Sequence, residues 1–149
     1  MKLSNKGRYG IEAVLDMAFH GEGSALQIKD IAERQAIPPR FLEQIFQDLK
    51  RVGLVSSKRG PKGGYRLAQN PAQIKLGDII RAVEGPINLG CEGQKVGSSP
   101  LRPVIEEALV DLSKRIDTCL DGISIAQLCE RGKQLGLHRT SPKRLTYVI

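Results

Sequence analysis

Apolar residues recur along the chain at intervals of three and four, broken by glycine, proline and short polar runs. This is the pattern of short amphipathic helices sharing a core. The first stripe, Ile11, Val14, Leu15, Ala18 and Phe19, predicts a helix over 4–20 with Ser4 as its N-cap and Gly21 as its stop. Turn residues at 21–24 lead into a short strand over 25–28 and a helix over 29–35 that turns Ile31 and Ala32 inward. A break at Ala36, Ile37 and Pro38 precedes a sharply two-faced stretch. There Leu42, Ile45, Phe46, Leu49 and Val52 line one side of a helix, and Arg40, Glu43, Gln44, Gln47 and Arg51 line the other. Pro39 suits its first turn and Gly53 a left-handed exit.

Two short runs follow, 54–58 and 65–68, separated by Arg59-Gly60-Pro61-Lys62-Gly63-Gly64, which predicts a β-hairpin with a cationic tip. After a turn at Asn70-Pro71, Leu76, Ile79, Ile80 and Val83 predict a short helix that ends at Gly85, because Pro86 forbids its continuation. Residues 86–99 lack helical periodicity and read as a linker loop. Pro100 opens a long stripe, Leu101, Val104, Ile105, Ala108, Leu109, Leu112, Ile116, Cys119 and Leu120, on one helix of about twenty residues. Such a face, far from the first core, needs a partner surface, and a second copy of the same helix is the simplest. The dimer interface is therefore expected at Leu101, Val104, Ile105, Ala108, Leu112, Ile116 and Cys119. Ser124 and Gln127 match a capping box that opens a further short helix, to about residue 135.

The fold class that results is mainly α with a small β-hairpin wing. A winged helix-turn-helix domain spans 1–85, a linker 86–99, a dimerisation helix and short helix 100–135, and a basic tail, read as disordered, 136–149. Helix, short turn, helix is the arrangement in which one helix braces another against the DNA major groove.

Charge sharpens this reading. The chain carries 23 basic and 16 acidic residues, net +7 with a pI near 9.5, and +5 of the excess falls within 1–85. Between Lys50 and Arg66 lie six basic residues, Lys50, Arg51, Lys58, Arg59, Lys62 and Arg66, and no acidic one. A charge run is often only a solvated face. Next to a helix bearing glutamine, glutamate and arginine forks, it becomes a field suited to a phosphate backbone. An enzyme finds no support: there is no nucleophile–base pair, no phosphate-binding glycine motif opening a helix and no metal-spaced histidines, with His20 and His138 isolated. Met1 to Lys6 runs straight into a patterned helix, and no apolar run is long enough to span a bilayer, so the expectation is a cytoplasmic protein with no membrane contact. Three cysteines, Cys91, Cys119 and Cys129, are too few and too oddly spaced for a disulfide framework.

From Met1 to about Leu128 the chain resembles the IscR and CymR type of bacterial winged-helix regulators. The resemblance is carried by Leu3-Ser4-Asn5-Lys6-Gly7-Arg8-Tyr9-Gly10, Ile31-Ala32-Glu33-Arg34-Gln35, Phe41-Leu42-Glu43-Gln44-Ile45 and Gly53-Leu54-Val55. It continues in Arg59-Gly60-Pro61-Lys62-Gly63-Gly64-Tyr65 and in Leu76-Gly77-Asp78-Ile79-Ile80-Arg81-Ala82-Val83-Glu84-Gly85. It implies a homodimeric transcription factor whose long helices cross at the two-fold axis and whose two recognition helices read a roughly palindromic site. It also implies that Glu43 and Gln44 lie in the major groove and that Arg59 reaches toward the minor groove. Chemically, Gln44 can pair with adenine, Glu43 can accept from a cytosine amine, and Arg59 can occupy a narrow, negatively polarised groove. Arg40, Gln47, Lys58 and Lys62 are expected at phosphates or flanking positions, and Phe41, Gly63, Gly64 and Tyr65 complete the expected DNA-contacting set.

The linker departs from the family pattern. Relatives that hold an iron–sulfur cluster carry three closely spaced cysteines there, whereas this chain has only Cys91 in that segment. No cofactor is therefore expected, with a cluster as the alternative. Cys91 and Cys119 are the candidate redox thiols, and Cys119 and Cys129 can equally be read as core. The function expected is a DNA-binding regulator answering a redox, sulfur or iron–sulfur signal. The alternative is a regulator acting mainly through a protein partner, such as an enzyme of cysteine synthesis.

Overall fold

The computed structural model describes residues 2–90 and 99–139. Its elements are α1 (Asn5–His20), α2 (Ile28–Gln35), α3 (Pro39–Arg51), β1 (Val55–Lys58), β2 (Gly64–Leu67), α4 (Leu76–Glu84), α5 (Arg102–Asp121) and α6 (Ile125–Gln134). The mainly α fold with a two-stranded wing is the one the apolar spacing predicts.

Local chemistry explains most of the boundaries. Ser4 caps α1 by accepting a hydrogen bond from the Gly7 amide at 3.0 Å. The turn between α2 and α3 is made by Ala36, whose φ of +52° closes α2 in the left-handed region. A β-carbon makes that conformation cost about 1 kcal/mol, and burial of the adjacent Ile37 offsets it. Pro39 opens α3, and Gly53, at φ +76°, turns the chain into the wing. β1 and β2 pair antiparallel from Val55 opposite Leu67 to Lys58 opposite Gly64. The strand expected over 25–28 shrinks to one residue: Leu26 exchanges two 2.8 Å backbone hydrogen bonds with Tyr65 and so adds a single rung to the wing.

The core is built from Ala13, Val14 and Met17 of α1, Ile31 of α2, Leu42, Ile45, Phe46 and Leu49 of α3, Ile79 and Val83 of α4, and Ile74 and Ile125. The α3 stripe stops one turn earlier than expected: Val52 is 50% exposed because the helix ends at Arg51.

A second difference concerns the unit expected over 100–135, which the structure divides. α6 belongs to the first core, with Ile125 fully buried and Gly132 closed against Phe19 of α1. The Ser124–Gln127 capping box starts α6 as expected, Ser124 N–H donating to Gln127 Oε1 at 2.8 Å. α5 stands off: Ser113 is its only buried residue, and Leu101 and Val104 are each 67% exposed.

Candidate nucleic-acid interface

α3 shows what a core does to a two-faced helix. Its apolar side is fixed by four fully buried residues, Leu42, Ile45, Phe46 and Leu49, so Arg40, Glu43, Gln44 and Gln47 are all driven to the exposed side. Phe41, also exposed, lies edge-on to Tyr9 of α1 with ring centroids 5.9 Å apart.

Behind this face, buried ion pairs hold the bracing helices. Asp16, its side chain wholly buried in α1, accepts from Arg34 Nε at 2.9 Å, Arg34 Nη2 at 2.7 Å and Gln35 Nε2 at 2.7 Å, tying α1 to the end of α2. The hydrogen bond to Asp16 raises the Arg34 pKa above its ordinary value. The only sequence signal for this tie is an aspartate inside the apolar run of α1, which the periodicity passes over. His20 turns back toward Asp16, with Nε2 3.9 Å from its carboxylate, and burial lowers the imidazole pKa.

On α3 itself, the part-buried Asp48 accepts from Lys6 Nζ at 2.6 Å and from Arg51 Nη2 at 2.8 Å. Those partners, the Lys6 hydrogen bond foremost, hold its carboxyl below the usual carboxylate range. Arg51, one of the polar-face residues, is thereby turned along its own helix. Lys50 reaches the wing, donating to Ser57 Oγ at 2.8 Å.

The wing is placed by steric and stacking contacts. Tyr65 stacks on Phe46 with centroids 4.7 Å apart and planes at 28°, so the hairpin rests directly on α3. Gly64 sits at φ +144°, and a β-carbon there would lie 2.3 Å from the Leu26 carbonyl oxygen. Gly63 is buried, with its missing β-carbon 2.4 Å from the Lys58 carbonyl oxygen. Gly63, Gly64 and Tyr65, expected among the DNA-contacting residues, are thus also held by contacts inside the fold, Gly64 at the loop end of the hairpin opposite Lys58. Lys58, Arg59 and Lys62 occupy its exposed tip.

Of the candidate thiols, Cys91 lies outside the described residues. Cys119 is exposed on α5 and is not a core cysteine. Cys129, half-buried on α6, packs against the core, and burial pushes its thiol up. Among the described residues, no three His, Cys, Asp or Glu side chains are grouped as a metal site requires, and no helix is long and apolar enough to cross a membrane.

A braced helix with an exposed polar face, flanked by a cationic hairpin locked to it, defines a winged helix-turn-helix DNA-binding protein. Residues 3–131 match the family model Rrf2, described as iron-dependent transcriptional regulators, and the chain belongs to that family. It is 43% identical over 129 residues to the HTH-type transcriptional regulator IscR of Aliivibrio salmonicida, covering 86% of this chain and 77% of that one. Among solved structures, it is similar to CymR, the global cysteine regulator of B. subtilis (TM-score 0.71, 35% identity, 88% of this chain and 98% of that one). It is also similar to IscR of T. potens (TM-score 0.70, 38% identity, 94% of each chain). A Staphylococcus aureus CymR in its oxidized form is similar at TM-score 0.68 and 33% identity, over 87% of this chain and 97% of that one. The chain is a DNA-binding transcriptional regulator of this type, and its role is not enzymatic.

Proposed function

We propose that the protein acts as a homodimer on a roughly palindromic operator, with α3 of each copy in a major groove, the wing tip over the adjacent minor groove, and α5 as the seam between copies. The observation that carries this reading is the division of surfaces. The polar forks of α3 and the cationic tip of the wing are exposed on the winged domain, while among the described residues a long apolar stripe left exposed is on α5. Gln44 and Glu43 are assigned to base edges and Arg59 to the minor groove. Arg40, Gln47, Lys58 and Lys62 are assigned to phosphates or flanking positions, with Phe41 at the edge of the same surface.

The test is a binding titration on duplexes selected by the protein from genomic fragments. Gln44→Ala is expected to lose about 1 to 3 kcal/mol at one base position, whereas Lys62→Ala weakens every sequence alike and reduces the salt slope by about one unit. Equal losses on all duplexes for both variants would remove the assigned roles.

The signal belongs to the same proposal. Cys91, with the exposed Cys119 as its candidate partner, is proposed to respond to an oxidant or sulfur species by disulfide or persulfide formation, with no resident cluster. Similarity to an oxidized CymR supports this chemistry. Wild-type operator affinity should differ between reducing and oxidising buffers, and Cys91→Ser should abolish the difference. A variant that keeps the full response would assign the signal elsewhere.

A further inference from the structure

One arginine joins the DNA-binding body to the long helix. Arg81 of α4 donates from Nη1 to Asp117 Oδ1 at 2.7 Å and from Nη2 to Asp121 Oδ1 at 2.6 Å and to Asp78 Oδ1 at 3.2 Å. Asp117 and Asp121 stand one turn apart on α5, so a single planar fork engages both, a geometry an ammonium cannot reproduce. The two helices close tightly around this cluster: a β-carbon on Gly77 would lie 2.1 Å from Asp121 Oδ1 and 2.7 Å from Arg81 Nη1. Without the guanidinium, three carboxylates would face one another across the α4–α5 contact.

The same end of α5 is also tied through the backbone. Leu76 N–H donates to the Ile123 carbonyl at 3.0 Å, and Ile125 N–H donates to the Ile74 carbonyl at 2.9 Å. Midway along, the Ser113 hydroxyl accepts from the Leu89 amide at 2.9 Å. Beyond that point, Leu101, Val104 and Ile105 are exposed. α5 is therefore a lever clamped near its C-terminal end, with the apolar residues Leu101, Val104 and Ile105 exposed toward its N-terminal end. Twenty residues make a rod of ~30 Å, and a swing of ~10° about the held end displaces the other by ~5 Å. That is more than one base-pair step of ~3.4 Å.

We propose that Arg81 is a positioning residue that fixes the angle of α5 on the winged domain and thereby sets the distance between half-sites that the dimer accepts. This rests on the reading of α5 as the seam. It assigns operator spacing to a residue whose partners described above, Asp78, Asp117 and Asp121, all lie within its own chain.

The test uses the full-length protein and an operator selected by the wild type, remade with its centre lengthened or shortened by one and by two base pairs. Wild type should bind the selected spacing at least tenfold more tightly than either one-pair variant. Arg81→Met, which keeps the aliphatic stem, should remain a dimer in sedimentation, bind the selected spacing severalfold more weakly, and discriminate less than threefold among neighbouring spacings. Asp117→Ala with Asp121→Ala removes both acceptors from the other side and should reproduce that flattened profile, which keeps the test decisive if Arg81→Met folds poorly. A dimeric Arg81→Met protein with undiminished spacing discrimination would overturn the assignment while leaving the dimer reading intact. A wild-type protein that sediments as a monomer would overturn both.

Discussion

Asp48 is an acidic side chain on the helix proposed to meet a polyanion, and its partners explain its presence. It accepts from Lys6 of α1 and Arg51 of its own helix, and the Lys6 hydrogen bond is the largest cause of its lowered pKa. A carboxyl depressed in the folded state stabilises fully above its unfolded value of about 3.9, and the stabilisation is lost as pH falls through the lower folded value. Asp48→Asn should therefore cost about 1 to 2 kcal/mol at neutral pH and flatten the decline in stability below about pH 4, as measured by urea unfolding across a pH series. An acid limb as steep in the variant as in wild type would assign that decline to other carboxylates. At this scale the sequence was legible where chemistry is local. Ser4 and Ser124 announce their caps by spacing alone, since each partner lies within three residues. The Asp48–Lys6 and Asp16–Arg34 pairs join residues of different helices, and no periodicity encodes which helices meet.

The wing shows the same division at the scale of elements. Glycine, proline and β-branched residues made the hairpin readable, and the two-faced spacing of α3 identified the helix it rests on. What remained illegible was which of its residues face outward. Gly64 reads as a loop former, yet its role depends on Leu26, which approaches from the segment before α2. Gly64→Ala would force a β-carbon into the Leu26 carbonyl at a positive φ, so the rung to Tyr65 must open. The expected cost is about 1 to 3 kcal/mol. The Tyr65 amide, bonded to Leu26, should exchange with solvent faster than the amides of α3, and operator affinity should fall as the wing loosens. Protection of Tyr65 unchanged by the substitution would show that the wing is held by Phe46 stacking alone.

For the whole molecule, the sequence indicated a boundary after Gly85, and the structure shows why that boundary is porous: α6 returns to the first core while α5 leaves it. Hydrophobic spacing reports that a face must be covered but not by what, so the two helices could not be told apart from their stripes. The uncovered stripe makes a prediction that couples assembly to electrostatics. Val104→Glu with Ile105→Glu places two charges on a surface that contributes nothing to the core, so each chain should keep its fold while the proposed dimer dissociates. With one winged domain per binding event, about half as many phosphates are neutralised, and the slope of log K against log salt, roughly −0.9 per phosphate, should halve. Affinity for the full operator should fall to that for an isolated half-site, because the second domain no longer binds intramolecularly. Sedimentation and salt-dependent titration on one duplex read both effects together. A variant that is monomeric yet keeps the wild-type slope would mean that a single domain already makes all the phosphate contacts, and the apolar face of α5 would then need a different role.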